Sequence, residues 1–444
     1  MKKALILGAG MVAKPIIDYL LNSGNIFVIN ATRTVSKAQL LLQNRPHTQA
    51  IPLLVDDEAD LENVIKSADI VVSLLPYTYH VRTAKICLKY KIPLVTTSYV
   101  SPQMRELDEE ARANNILLLN EIGLDPGIDH MSAMRIINQV QNRQGRIIAF
   151  RSYCGGIPAP DSNTNPWGYK FSWSPRGVLM AGRNNARYLW KGEIKEVEGK
   201  DLFKNHWMMK IGEMALQAYP NRDSLPYIDL YGIKTTHTMF RGTLRYPGWC
   251  ETMWVVSQIG LLKENEITAV KGRTYREILS LIFEIDSKSD LRDFICQKAG
   301  ITRDHEAISK LEWLGLFSDE ICEQEKTTPI DFLSMVMQQK MQYLENERDM
   351  IVLHHEFEAE FKNKTELITS TLIDYGIPGG DSAMSRTVSL PAAIAVRLIL
   401  EGRIREQGVR IPVEPEIYEP VMNELEQLGI VCQEKTQVYL KGKN

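Results

Sequence analysis

The sequence predicts an α/β protein: a doubly wound parallel sheet at the N-terminus, then a second α+β part carrying a small helical insertion. Three observations carry this expectation. Short, continuously apolar runs recur from Ala4 to Leu119, helical stretches separate them, and the first run enters Gly8-Ala9-Gly10-Met11-Val12-Ala13. The runs are Ala4 to Leu7, Ile26 to Ala31, Ile51 to Val55, Ile70 to Leu74, Leu94 to Thr97 and Ile116 to Leu119. Unbroken rather than alternating hydrophobicity marks strands covered on both faces, as in a parallel sheet.

Val12 to Ser23 has apolar side chains at helical spacing and stops at Gly24, an αL cap. His80 to Tyr90 and Pro102 to Ala113 read as further crossover helices, the second with Ser101 as N-cap and Pro102 at the first helical position. After Gly145 the pattern changes to Pro- and Gly-rich loops between short strands, beginning with Ile147 to Tyr153. This predicts an α+β catalytic domain whose sheet serves a homodimer. Tyr275 to Glu284 and Phe332 to Leu344 show helical spacing within an insertion, and Asp349 to His355 with Thr365 to Ser370 reads as a returning hairpin. Pro391 to Glu401 and Tyr418 to Leu428 are closing helices. The expected division is 1–124 plus about 388–444 for the nucleotide, 125–255 plus about 346–387 for substrate and dimer, and about 256–345 for the insertion.

Composition sets the limits. The chain has 444 residues, 44% hydrophobic and 24% charged, as in ordinary globular domains, which excludes disordered and fibrous classes. With 52 Lys+Arg against 55 Asp+Glu, no net field draws it to nucleic acid or a membrane surface. The six cysteines form no CxxC pair, and the expectation is reduced thiols in the cytoplasm. The opening resembles an export signal, but Gly8 and Gly10 interrupt its apolar run and Lys14, Pro15 and Asp18 follow. No uninterrupted apolar stretch nears the roughly 18–20 residues that span a bilayer, so no membrane segment is expected. His354 and His355 are adjacent, the other histidines are scattered, and neither GxSxG nor HExxH occurs, so metal and nucleophile chemistries find no residues. Trp167, Tyr169 and Trp173 read as core or cofactor-side packing, because a nucleic-acid surface also needs a basic stripe.

The G-x-G-x-x-A motif between first strand and first helix is the mark of a Rossmann-type dinucleotide site. Gly8 permits the tight turn, Gly10 admits a pyrophosphate and Ala13 lets helix and strand pack closely, so Gly8, Ala9, Gly10, Met11 and Val12 are cofactor candidates. At the end of the second strand, where NAD enzymes carry an acid, the chain reads Asn30-Ala31-Thr32-Arg33-Thr34. Arg33, with Thr32, Thr34, Ser36 and Lys37 nearby, favours a 2′-phosphate and hence NADP(H). A solvated loop arginine is the alternative, and Asp56 stands between an adenine contact and a surface carboxylate. Ligands in such sheets lie outside the carboxyl ends of the strands, where three loops are expected to meet. These loops nominate Leu75, Tyr77, Thr97, Ser98, Leu124, Asp125, Gly127 and Met131. Asp129 and His130 read as turn and cap.

Longer strings then carry a resemblance. SYVSP at 98–102, NEIGLDPGIDH at 120–130, SYCGGIPAP at 152–160, GYKFSWSPRGVL at 168–179, YPNRDS at 219–224, RGTLRYPG at 241–248, WLGLFSD at 313–319 and NERDM at 346–350 resemble the glutamate-forming saccharopine dehydrogenases, or saccharopine reductases. The segments 190–210, 255–310 and the tail after Arg410 follow the family loosely. The resemblance implies NADPH reduction of the imine formed by 2-aminoadipate 6-semialdehyde and L-glutamate, giving saccharopine, or the reverse. It also implies a substrate site lined by Ser98, Tyr99, Asp125, Arg222, Thr243, Leu244 and Arg245, places Ser172, Trp173 and Ser174 near the nicotinamide, and packs the closing helices on the nucleotide domain.

Saccharopine carries three carboxylates, which suits the guanidinium forks of Arg222 and Arg245; Arg176 and Arg241 stay open between substrate and structural pairing. Imine chemistry needs a proton donor, with Asp125 the first candidate either for that proton or for holding the substrate ammonium, Tyr99 and Cys154 the next, and Glu121 a candidate to face the nicotinamide. Cys154 as a small packing residue is the alternative. Competing functions are another NADP-dependent imine reductase, such as a carboxynorspermidine dehydrogenase, and a non-catalytic NADP(H) sensor.

Overall fold

The computed structural model describes residues 1–440. The chain packs as two units, one made of Met1–Arg146, Glu360–Thr365 and Thr369–Asn444, the other of Ile147–Ala359 and Glu366–Ile368. Unit 1 opens with β1 (Lys2–Leu7), α1 (Ala13–Asn22), β2 (Ile26–Thr32), α2 (Val35–Leu42), β3 (Thr48–Pro52), α3 (Glu58–Ile65) and β4 (Ile70–Ser73). It continues with α4 (His80–Tyr90), β5 (Leu94–Thr96), α5 (Pro102–Arg105), α6 (Asp108–Ala113), β6 (Leu117–Leu119) and α7 (Ile128–Asn142). The strands are parallel in the order β6-β5-β4-β1-β2-β3, so the winding reverses between β1 and β4. Ala4 to Leu7 and Val71 are fully buried, as unbroken apolar strands require.

Caps follow the sequence. Ser101 accepts from the Met104 N–H at 3.1 Å ahead of Pro102, and Gly24 follows α1 with φ 84°. The single helix expected over 102–113 is two, α5 and α6, separated at Glu106 and Leu107. Helices α2 and α3 have no clear apolar period: α2 buries Ala38 and Leu42, α3 only Leu61 and Ile65.

Unit 2 runs through β7 (Arg146–Pro158), α8 (Pro175–Ala181), β8 (Ala186–Trp190), β9 (Glu193–Val197), β10 (Trp207–Ile211), β11 (Met214–Pro220), α9 (Pro226–Leu230) and β12 (Thr238–Arg245). Then come α10 (Trp249–Gln258), β13 (Ile267–Thr268), α11 (Tyr275–Phe283), α12 (Leu291–Ala299), α13 (Glu306–Trp313), β14 (Lys326–Thr327), α14 (Pro329–Lys340) and β15 (Asp349–Glu360). Its own strands lie in a nine-stranded mixed sheet in the order β10-β11-β12-β7-β15, with β8 pairing β12 and β9. The stretch expected to stand apart as an insertion does not: α11 to α14 share one buried core with Trp167, Tyr169, Leu179 and Trp249.

The chain then returns to unit 1 with β16 (Lys364–Tyr375, except Glu366–Ile368), α15 (Ala383–Leu400), β17 (Gly408–Arg410), α16 (Pro415–Gln427) and β18 (Gln433–Leu440). Strand β17 pairs in parallel with β6, α15 packs on α1, and α16 packs on α7, where Asn138 Nδ2 donates to Tyr418 Oη at 2.6 Å. That packing moves the compact boundary from the expected 124/125 to 146/147 and draws 369–387 into unit 1. Although no such stretch was expected from the sequence, α15 is long and apolar enough to cross a membrane. It is 67% buried inside the protein, against α1, β4 and β5, as a core helix is.

Candidate active site

In unit 1 the chain leaves β1 at Gly8 with φ 105°, and a Cβ there would stand 3.3 Å from the Leu74 carbonyl oxygen. The Gly8 N–H donates to Ala31 O at 2.9 Å. Asn30, fully buried, donates from Nδ2 to Ile6 O at 3.0 Å and Gly8 O at 2.8 Å, a clamp whose only sequence signal is an amide inside an apolar strand. Nothing lies within 4 Å of a Cβ placed on Gly10, and Ala9 and Val12 are half-buried beside an exposed Met11. Ser389 of α15 donates its hydroxyl to the Val12 carbonyl, so the C-terminal helix backs the loop. A turn braced behind and open in front fits a dinucleotide pyrophosphate.

At the end of β2, Thr32 is half-buried, Thr34 and Arg33 are exposed, and Arg33 makes no ion pair among the described residues. A guanidinium not engaged in an ion pair fits a 2′-phosphate. Asp56 is exposed and engaged: its Oδ1 accepts from Tyr79 Oη at 2.9 Å and its carbonyl from Arg82 at 3.1 Å. The carboxylate pushes the Tyr79 phenol above its ordinary pKa. Tyr77 is 73% exposed, while Leu75 and Thr97 are half-buried.

The loops after β5 and β6 are laced together. The Glu121 N–H donates to Ser98 O at 3.1 Å, and that of Ile122 to Thr96 O at 3.4 Å. The result brings two acid-base candidates into contact: Tyr99 Oη donates to Asp125 Oδ1 at 2.8 Å, with Asp125 half-buried. Glu121 does not present itself as expected. It is buried, with φ 57°; Oε1 accepts from the Val100 N–H at 2.9 Å and Oε2 lies 2.8 Å from His130 Nε2. Its carboxylate turns inward and pins the two loops. The Asp125–Pro126 peptide is cis, and Gly127 follows with φ 149°, where a Cβ would lie 2.0 Å from Gly123 O. Asp129 does not cap the next helix as expected: it lies inside α7, whose N-cap is Gly127, and its Oδ1 accepts from the Gly127 N–H at 2.6 Å. Leu124 and Met131 are buried, and the Met131 N–H donates to Gly127 O at 3.1 Å.

Unit 2 carries the cations. Strand register sets Thr243 opposite Cys154 on β7 and Tyr219 on β11, one row across the sheet. Cys154 is buried and Thr243 half-buried; burial pushes the Tyr219 phenol up to about 12. Arg245 closes β12 with 5% exposure, and its Nη1 donates to Leu244 O at 2.7 Å. The guanidinium carbon sits 4.9 Å from the Tyr169 ring centroid and 5.6 Å from that of Trp249. Among the described residues no carboxylate pairs with Arg245, and its Nε has no hydrogen-bond partner. Lys310 of α13 braces this box: its Nζ donates to Gly248 O at 2.8 Å, and its carbonyl accepts from Trp167 Nε1 at 3.0 Å. Tyr169 lies inside a matched string, whereas Trp249 and Lys310 are marked in sequence by no more than proximity to one. The Leu244 side chain lies in the core, so its part is the carbonyl that aligns Arg245.

Arg222 is exposed on the loop after β11 with φ 56°, its carbonyl accepting from the Arg187 N–H at 3.0 Å. Arg241 is buried 4.4 Å over the Tyr227 ring, whereas Arg176 pairs at the surface with Glu264 and Asp331 at 2.7 and 2.8 Å. Ser172 is buried with no hydrogen-bond partner for its hydroxyl among the described residues, and Trp173 is half-buried. Ser174 is the exposed N-cap of α8, its Oγ accepting from the Gly177 N–H at 3.2 Å. No group of three potential metal ligands occurs among the described residues.

Comparison with known proteins gives the family. Residues 4–119 match the saccharopine dehydrogenase NADP binding domain and residues 123–430 the saccharopine dehydrogenase C-terminal domain. The NADP(+), L-glutamate-forming saccharopine dehydrogenase of Saccharomyces cerevisiae is 43% identical over 98% of this chain and 99% of its own. That of Schizosaccharomyces pombe is 38% identical at the same coverage. The mitochondrial alpha-aminoadipic semialdehyde synthase of Mus musculus is 35% identical over 99% of this chain and 48% of its own. The solved apo saccharopine dehydrogenase (L-Glu forming) of Saccharomyces cerevisiae superposes with a TM-score of 0.87 at 41% identity, over 98% of this chain and 100% of that one.

Proposed function

The chain belongs to the saccharopine dehydrogenase family, and from that premise we infer that it is an NADP-dependent oxidoreductase interconverting saccharopine with L-glutamate and 2-aminoadipate 6-semialdehyde in lysine metabolism. In the cleavage direction the secondary amine loses a proton and the adjacent carbon a hydride, leaving a C=N bond. Water adds to that bond, and the C–N bond then breaks to release glutamate and the aldehyde. NADP(H), when bound, takes or supplies the hydride. The glycine turn and Arg33 hold the dinucleotide, and the Tyr99–Asp125 pair, 2.8 Å apart, relays the proton that leaves or joins the nitrogen.

The single observation that carries the substrate reading is Arg245, a buried guanidinium with no carboxylate partner among the described residues. A buried cation of this kind is costly unless an anion meets it, and saccharopine brings three carboxylates. Arg222, on its exposed loop, is the second proposed clamp. A homodimer and a cytoplasmic location belong to the same proposal. The first is supported by the exposed apolar run Val438, Tyr439 and Leu440 on β18, the second by cysteine spacing.

Purified protein mixed with saccharopine and NADP should raise the reduced-nicotinamide absorbance, NAD should support a much slower rise, and Arg33→Ala should narrow that difference by roughly tenfold or more. Turnover of a different secondary amine with saccharopine inert would overturn the reading.

A further inference from the structure

His80 opens α4 at 4% exposure, and its ring joins the carboxyl ends of two neighbouring strands. Nδ1 lies 2.9 Å from Ser73 Oγ, the last residue of β4. Nε2 lies 2.9 Å from Ser98 Oγ and 3.1 Å from Thr96 Oγ1, at the end of β5. The Thr96 hydroxyl in turn accepts from the Ser98 N–H at 3.3 Å. The ring is therefore held by three hydroxyls and no carboxylate. Its environment favours the uncharged form: burial lowers the pKa to about 4. A neutral imidazole offers one donor and one acceptor, so whichever tautomer is present, one hydrogen-bonding direction of Ser98 Oγ is committed inward. Ser98 itself is half-buried and stands at the strand edge where open α/β sheets bind ligands.

We propose that His80 is a positioning residue for the reaction: seated between the ends of β4 and β5, its imidazole fixes the rotor of Ser98 and so sets the hydrogen bond that Ser98 presents to bound ligand. The inference deepens the proposed function and rests on the reading of Ser98 as a ligand-contacting residue. A hydroxyl that must be ordered at binding contributes less than one already aligned.

The test is a double-mutant cycle on steady-state kinetics with saccharopine and NADP. Ser98→Ala and His80→Phe should each raise KM for one of the two ligands by about 3- to 10-fold, with a smaller change in kcat. The double variant should be no worse than Ser98→Ala alone. His80→Gln, whose amide reaches the place of Nε2, should recover part of the loss, and His80→Ala carries the cycle should His80→Phe not fold. Effects that multiply across the cycle would overturn the proposal while leaving Ser98 a ligand residue. A Ser98→Ala variant with wild-type KM for both ligands would remove the reading beneath it instead.

Discussion

A buried charge without a counter-charge reports on what the protein is built to receive. Arg245 is held against Tyr169 and Trp249, with one hydrogen bond to the Leu244 carbonyl and Nε unsatisfied. For stability alone a hydrophobic side chain of similar volume would serve as well or better. Arg245→Met should therefore leave the melting temperature unchanged or raise it. It should raise KM for saccharopine by roughly 30- to 1,000-fold, the equivalent of about 2–4 kcal/mol, with KM for NADP steady. A variant that loses stability and keeps its KM would mark Arg245 as structural. The identity of this arginine was legible from its motif; its isolation was not, because ion pairing is decided by residues far away in sequence. Arg176 makes the contrast: equally basic and inside a matched string, it is spent on Glu264 and Asp331. Glu121 shows the same limit, since its inward bonds to Val100 and His130, made at a φ of 57°, depend on residues that the local pattern does not bring together.

At the scale of elements, two glycine turns that look alike in sequence do different work. At Gly10 a Cβ meets nothing within 4 Å, whereas at Gly127 it would lie 2.0 Å from Gly123 O with φ at 149°. Gly10→Ala should fold with a stability change within about 1 kcal/mol, yet weaken NADP binding about tenfold or more by filling the space open to the pyrophosphate. Gly127→Ala should destabilise by about 3 kcal/mol or more, because only backbone could yield, and should displace Asp125 from Tyr99. Thermal melts with NADP titrations separate the two; a Gly127→Ala protein that melts like wild type contradicts the account. Strands β1, β2, β4, β5 and β6 and the capped helices of unit 1 were legible because burial on both faces and caps such as Ser101 write themselves into local sequence, whereas β3, half-exposed over Thr48–Pro52, lies mostly before the expected run Ile51 to Val55. Helices α2 and α3 were not, since each buries only two side chains.

At the scale of the molecule, unit 1 is closed by residues that lie beyond unit 2 in the chain. Arg397 Nε donates to Tyr19 Oη at 2.8 Å, and both residues engage Glu424, joining α1, α15 and α16. Such closure is invisible to a pattern read in order along the chain, which is why the expected boundary fell before α7. One consequence of the packed interior concerns acid. His80 has a folded pKa of about 4 against an ordinary value of 6.5, so between those limits the unfolded chain binds the proton more readily than the folded one. Stability must then rise with pH through this window, reaching its plateau above about 6.5, and the folded state loses up to about 3 kcal/mol on descending to pH 4. Histidines elsewhere add their own terms, so the measurement is a difference: urea unfolding of wild type and His80→Gln at pH 7.0 down to 4.5. The wild-type slope should exceed the variant's by up to one proton, roughly 1.4 kcal/mol per pH unit. A gap between the two proteins that stays constant over that range would mean the ring is hydrated or charged in the folded state, and the neutral bridge between Ser73 and Ser98 would have to be abandoned.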